Sequence, residues 1–277
     1  MTANTKLELI LEKSLSLPGV KVSREEFLTK VFSKRKGASE LREIMEKGPY
    51  GAGVTRKEID NIAKSVIHKR TLTSTSLSFG AGLPGGIAMA GTIPGDVIQF
   101  YGIAMRLAQE LAYLYGHHDL WLEEHLDTEK ARDNILVFLG VMFGVGGSQS
   151  AIKFLSSNLS KQVLKKLPQK ALTKTLYYPI IKKVLASIGI KLTKDSFAKG
   201  VSKVIPVVGG VISGSLTYTT MRPMGKRLAV TLSETLVMTE EEVKKEYYEM
   251  RKEFPEIIDI DFEEVEDEEK DKKDISV

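Results

Sequence analysis

Cysteine is absent from the 277-residue chain, which excludes disulfide bonds and thiolate metal sites. A chain without cysteine suits a reducing compartment such as the cytoplasm. Residues 1–19 mix charged with apolar residues and lack the basic-then-apolar order of a secretory signal peptide. We therefore expect a cytoplasmic protein.

Strand patterns are scarce, because apolar and polar residues alternate only in residues 71–79. Helix start signals are frequent, and three pairs have the spacing of a capping box: Ser23 and Glu26, Thr55 and Glu58, Thr239 and Glu242. After Thr55 the apolar residues form a stripe at helical spacing, made of Ile59, Ile62, Ala63, Val66 and Ile67. The sequence predicts an all-α fold, a multi-helix bundle whose apolar helices are interrupted by glycine and proline.

Long uninterrupted apolar runs are also missing. Three windows lack charged side chains, namely residues 71–95, 134–152 and 204–221, and their lengths are close to the ~20 residues that span a bilayer. Glycine and proline interrupt the first and third windows, and the apolar run of the middle window is confined to residues 135–147. That short run favours a buried core helix or a re-entrant segment over a full span.

Glycine and proline concentrate in and around these windows, where they break helices or let helices pack closely. The candidate positions are Gly82, Pro84, Gly85, Gly86, Pro94, Gly95, Gly140, Gly144, Pro206, Gly209, Gly210 and Gly214. Gly80, Gly82 and Gly85 also match the dinucleotide motif G-x-G-x-x-G. No repeated strand-helix-strand pattern surrounds the motif, so we predict no nucleotide and no other cofactor.

A helix with a very wide apolar side is predicted from Pro94 to Gly116. This width is typical of a central helix or of one lying in lipid. Its polar residues share one arc and include a candidate functional seam: Asp96, Gln99, Arg106 and Glu110. The seam suits either an acid-base site in a pocket or an intrahelical ladder of charges.

Catalytic and metal-binding motifs are missing elsewhere. The four histidines do not form the H-E-x-x-H or E-x-x-H patterns of metal sites, and Ser148 lacks the closing glycine of a nucleophile elbow. We therefore predict no metal site and favour a non-catalytic role.

Arginine is absent from residues 153–203, which hold twelve lysines and a single acid, a net charge of +11. Residues 255–277 hold eleven acids against three lysines, a net charge of −8. The lysine-rich part has apolar residues behind its charges, which is typical of helices that lie on an anionic membrane surface. The candidate surface-binding residues are Lys161, Lys165, Lys166, Lys170, Lys174, Lys182 and Lys183. Nucleic acid is the weaker alternative, since the block has no arginine for bidentate contacts.

Two stretches carry a family resemblance: "GLPGGIAMAGTIPGDVIQFYGIAMRLAQELAYLYG" at 82–116 and "IPVVGGVISGSLTYTTMRPMGKRLA" at 205–229. Together they resemble the EcsC family of bacterial proteins over about residues 55–235. The positions that match are Gly85, Gly86, Asp96, Gly116, Pro206 and Gly209. The resemblance implies a mostly helical protein without an assigned reaction or cofactor. Because the family is named after a gene beside an ABC transporter, it also implies a partner in a membrane protein complex of that kind.

The predicted organisation is an N-terminal helical segment at 1–54, an EcsC-like core at 55–254 and a disordered acidic tail at 255–277. We predict a non-catalytic accessory protein, attached peripherally to the inner face of the cell membrane, that binds anionic lipid or a membrane complex. The alternatives are an enzyme that uses the seam around Asp96 and a soluble helical scaffold without lipid affinity. We also expect the acidic tail to fold back over the lysines and compete with lipid.

Overall fold

The computed structural model describes residues 3–73, 95–121, 128–157, 177–190 and 214–257. Every regular element in these ranges is a helix, which confirms the predicted all-α fold. The helices are α1 (Ala3–Leu15), α2 (Arg24–Phe32), α3 (Ala38–Gly51), α4 (Arg56–Thr73), α5 (Gly95–Leu114), α6 (Thr128–Phe143), α7 (Ser148–Leu155), α8 (Tyr178–Ile190), α9 (Gly214–Thr235) and α10 (Glu240–Glu253).

Helix starts follow the capping signals of the sequence. The Ser23 hydroxyl accepts a hydrogen bond from the Glu26 N–H at the start of α2. Thr55 accepts one in the same way at the start of α4. At α10 the box is complete, since Thr239 and Glu242 each accept from the other's N–H. These local bonds satisfy N–H groups that the first helical turn leaves without a partner.

Helix α5 lies at the centre of the fold. It packs against six other helices, namely α1, α2, α3, α4, α6 and α9. Residues 97–115 are all buried except Gln99 and Arg106, which are half-buried. Of the two predicted alternatives, a central helix and a helix lying in lipid, this packing agrees with the central helix. The helix gives way to Gly116, whose positive φ of 93° suits glycine.

The middle charge-free window forms part of the core. Ile135–Phe143 are all buried in α6, which lies between α5, α7, α8 and α9. This agrees with the predicted buried core helix. Residues 71–73, where the strand-like alternation at 71–79 begins, belong to α4, which ends at Thr73. The following residues of the window at 71–95, up to residue 94, lie outside the described ranges.

Within the described ranges, no helix combines the length and the apolar character that crossing a membrane requires.

The C-terminal helices close the other side of the bundle. Helix α9 packs along α4, α5 and α6, and α10 packs mainly on α7. Phe254 and Ile257, which follow α10, are each only 2% exposed. Packing therefore continues as far as Ile257, while residues 258–277 lie outside the part of the chain that the structure describes.

Candidate functional site

A buried cluster of charges joins α4 to α5, and we call Arg70, Arg106 and Glu110 the Glu110 cluster. The Glu110 side chain is 2% exposed, against 19% for Arg70 and 27% for Arg106. Arg70 donates to both carboxylate oxygens, from Nε to Oε2 at 2.6 Å and from Nη2 to Oε1. Arg106 Nε donates to Oε1 at 3.3 Å. Two guanidinium groups therefore share one buried carboxylate.

This geometry suits a structural link better than proton transfer. A general base needs a carboxylate that can approach a substrate, whereas both oxygens of Glu110 accept hydrogen bonds from guanidinium groups that stay charged. Arg106 also donates from Nη1 to the Gly19 carbonyl, which lies between α1 and α2. The Glu110 cluster thus ties three separate parts of the chain together.

The predicted seam of four residues is only partly brought together. The Arg106–Glu110 pair is the intrahelical ladder that the four-residue spacing suggested. Gln99 is half-buried, and the side chain of Asp96 lies outside the described residues. The polar arc of α5 is not an open face, because Gln109 and Tyr113, which also lie on it, are fully buried.

Arg70 is the member of the cluster that the sequence reasoning missed. Its position continues the apolar stripe of α4, three residues after Ile67 and four after Val66. A charged residue at that place on a stripe faces the core, so it needs an opposite charge from a neighbouring helix. The stripe was the available signal, but it did not identify Glu110 as the partner.

Gln109 lies in the core and holds the loop between α1 and α2, the loop that contains Gly19. Its side-chain oxygen accepts from the Val22 N–H at 3.1 Å and from the Trp121 indole N–H at 2.8 Å. Its amide nitrogen donates to the Val20 carbonyl at 2.9 Å and to the Met105 carbonyl at 2.9 Å. Every polar atom of this side chain is thus used in positioning backbone and Trp121, rather than facing a ligand.

Two buried tyrosines, Tyr113 near the end of α5 and Tyr115 just after it, extend the polar network. The Tyr115 hydroxyl donates to Asp60 at 2.8 Å, and the Tyr113 hydroxyl accepts from the Leu120 N–H at 3.2 Å. Burial raises the pKa of both phenols well above the ordinary value, and Asp60 raises that of Tyr115 further. The raised pKa values keep both phenols protonated further into the alkaline range than an exposed tyrosine.

Of the predicted glycine positions, two lie at the end of α6. A methyl group added at Gly140 would meet Ser148 Oγ at 2.5 Å and Val184 Cγ2 at 2.7 Å, so three helices approach closely there. Gly144 follows the helix with a φ of 69°. Gly95 and Gly214 are the first residues of α5 and α9. The remaining candidates lie outside the described ranges: Gly82, Pro84, Gly85, Gly86, Pro94, Pro206, Gly209 and Gly210.

Ser148 is fully buried against Gly140 at the start of α7. Among the described residues its hydroxyl finds no hydrogen-bond partner. A nucleophile needs access to a substrate, and a side chain packed between helices has none. This geometry fits a packing role for Ser148 between α6 and α7.

The lysine-rich part of the chain is described at only three of its lysines, and two of these are ion-paired with the C-terminal helices. Lys153 Nζ lies 2.9 Å from Glu234 Oε2 and 2.7 Å from Glu246 Oε1. Lys183 pairs with Glu253, and its ammonium lies 4.9 Å from the centre of the Phe254 ring. The predicted surface residues Lys161, Lys165, Lys166, Lys170 and Lys174 lie outside the described ranges.

The ion pair between Lys153 and Glu246 shifts the pKa of both groups. Burial opposes ionisation, but the bonds to Glu246 and Glu234 outweigh it and raise the pKa of Lys153. Burial likewise opposes the charge on Glu246, while hydrogen bonds from Lys153 and Ser150 outweigh it and lower the pKa of that carboxyl. Both groups are therefore charged at neutral pH and hold α10 against α7.

Helix α8 has one side buried in the core and another side that faces solvent. Its buried side consists of Ile180, Ile181, Val184 and Ile188. On the opposite side Lys182 is exposed, and Tyr178, one turn before it, is 61% exposed. We call Tyr178 and Lys182 the α8 face.

Comparison of the chain with protein-family models, with curated proteins and with solved structures gives no match. The EcsC resemblance therefore stays a prediction. Among the side chains that the structure describes, no three histidines, aspartates or glutamates group together as metal ligands.

Proposed function

We propose that the protein binds an anionic membrane surface peripherally, as an accessory component of a membrane complex of the EcsC kind. The contact is made by the α8 face together with the lysine-rich chain on both sides of it. The observation that carries the proposal is the exposure of Tyr178, at 61%, one turn from the exposed Lys182. An aromatic ring beside an ammonium group suits the headgroup region of a bilayer.

The two side chains of the α8 face contribute in different ways. A tyrosine places its ring against acyl chains and its hydroxyl in the polar region. A lysine keeps its charge near the headgroups, where each lysine contributes about 1 kcal/mol to binding an anionic leaflet. With a net charge of +11 over residues 153–203, several such contributions add to a useful affinity at low salt.

An enzymatic role for the Asp96 seam finds less support. Glu110, the acid of the seam whose side chain the structure describes, accepts from two arginines through both of its oxygens rather than facing a reacting group. A soluble scaffold without lipid affinity is the alternative that the following experiment separates from the proposal.

Co-sedimentation with phosphatidylcholine vesicles, with and without phosphatidylserine, tests the proposal at low and high salt. Wild-type protein should bind only the anionic vesicles, and salt should release it because exposed charges are screened. Lys182→Gln should weaken binding by about fivefold, which corresponds to about 1 kcal/mol. Tyr178→Ser should weaken it as well.

Lys64→Gln on α4 is the matched control, because Lys64 is also exposed but belongs to another helix. It should leave vesicle binding nearly unchanged. Equal losses in the two lysine variants would mean that only net charge matters and would contradict the α8 face as the contact. Absence of binding to anionic vesicles at low salt would favour the scaffold.

A further inference from the structure

We propose that the first part of the acidic C-terminal segment, residues 258–264, binds back onto the α8 face and competes with the membrane for it. The binding of residues 258–264 to α8 does not depend on whether the protein binds lipid. Its regulatory meaning rests on the proposed lipid binding. Three observations support it: the point at which the described chain ends, the sequence of the segment, and the ion pairs already formed beside α8.

The described chain ends beside α8. Glu253 pairs with Lys183, and the Phe254 ring lies under the same ammonium group. Phe254 also packs against Gly147, so closely that an added methyl group would overlap its ring. Ile257 is buried, which fixes the start of the following segment to the core. Residues 258–264 therefore begin close to α8, whatever conformation they adopt.

The segment is long enough to reach the α8 face. Lys183 and Tyr178 are five residues apart on a helix, which corresponds to about 7.5 Å along its axis and about 140° around it. Seven residues in an extended conformation span up to about 23 Å. The covalent tether thus allows contact with both Tyr178 and Lys182 and keeps the local concentration of the segment high, in the millimolar range for short tethers.

The sequence of the segment matches the two chemical features of the α8 face. Apolar residues alternate with acids, as Ile258, Asp259, Ile260, Asp261, Phe262 and Glu263. In an extended chain this alternation puts an apolar side chain within reach of the Tyr178 ring. The Lys182 ammonium ends a flexible four-carbon stem and can reach an acid on either side of the chain. The alternation ends at Glu264, and from residue 270 the tail mixes lysines with its acids.

Acids of α10 already form ion pairs with lysines of the lysine-rich part of the chain, residues 153–203. Lys153 pairs with Glu246, and Lys183 pairs with Glu253. Lys182, next to Lys183 in sequence, belongs to the same lysine-rich part and is exposed. Binding of residues 258–264 would extend this pattern of acid-lysine pairs by one lysine and cover the exposed tyrosine.

Acetylation of Lys182 in the full-length chain, followed by mass spectrometry at low salt, tests the binding. The proximal variant combines Asp259→Asn, Asp261→Asn and Glu263→Gln. The distal variant removes the same types of charge by Glu268→Gln, Asp271→Asn and Asp274→Asn. The proximal variant should raise the rate of Lys182 acetylation about threefold or more relative to Lys64, whereas the distal variant should leave it unchanged.

Equal rates in all three proteins would overturn the binding, and so would equal increases in the two variants, because net charge alone would then explain the effect. Protection that grows with protein concentration would assign the segment to a second copy and overturn binding within one chain.

Vesicle binding separates this inference from the proposed function. With anionic vesicles at low salt, the proximal variant should bind several-fold more tightly than wild type and the distal variant. Wild-type affinity in a proximal variant whose Lys182 is more reactive would overturn the competition. If no protein binds vesicles, the proposed function fails, and the acetylation rates still decide whether the segment binds α8.

Discussion

Replacing Glu110 with glutamine removes the negative charge that Arg70 and Arg106 share in the core. Glutamine keeps an oxygen that can accept from one guanidinium group. Its amide group, however, is a donor that must face a second donor. The substitution therefore leaves two partly buried positive charges without a counter-charge. We expect it to destabilise the fold without disturbing the helices far from α5.

The magnitude follows from the exposure of the partners. Breaking a fully buried ion pair costs about 3–5 kcal/mol. Arg70 and Arg106 keep 19% and 27% of their side-chain surface exposed, so water can partly hydrate them after the change. We therefore expect a loss of about 2–3 kcal/mol of unfolding free energy. Proteins are stable by about 5–15 kcal/mol, so this is a large fraction.

Urea unfolding followed by far-ultraviolet circular dichroism measures the effect. A loss of this size should lower the urea midpoint by about 1 M for a slope of 2–3 kcal/mol per molar urea. Glu43→Gln is the control, because Glu43 forms an exposed ion pair with Lys47 one helical turn away. That variant should change stability by less than about 0.5 kcal/mol.

Equal midpoints for the Glu110 and Glu43 variants would refute the reasoning about the buried cluster. A Glu110→Gln protein that keeps its stability but loses a cellular activity would instead assign the cluster a chemical role.

Two further predictions concern packing and pH. Gly140→Ala should lower stability by about 1–3 kcal/mol, because the new methyl group meets Ser148 and Val184; a thermal midpoint equal to wild type would contradict the close approach. The lowered pKa of Glu246 means that its contribution to stability is present at neutral pH and is lost as pH falls through that pKa. The difference in urea midpoint between wild type and Glu246→Gln should therefore be clear near pH 7 and shrink once the pH falls below 4.5, the ordinary pKa of a glutamate; a difference of unchanged size in acid would show that the ion pair with Lys153 is not its cause.

The helices and the central place of α5 could be predicted because their signals are local. Capping needs only the three-residue spacing of Thr239 and Glu242, and the wide apolar side of α5 is visible within twenty residues. For the apolar run at 135–147 the same signals left a core helix and a re-entrant segment open, and the burial of Ile135–Phe143 agrees with the core helix. Hydrophobic periodicity also shows which side of a helix is buried, but not which neighbour covers it.

The pairings across the core needed the tertiary arrangement. Glu110 meets Arg70 across 40 residues and Lys183 meets Glu253 across 70, distances over which composition offers many equivalent partners. The lysine-rich part of the chain, residues 153–203, illustrates the difference. Its charge is evident in the sequence. That Lys183 is ion-paired while Lys182, one residue before it, faces solvent depends on how α8 is rotated against the core and on where α10 ends. Spacing along a helix sets which residues share a face, whereas the packing of distant helices sets which faces meet.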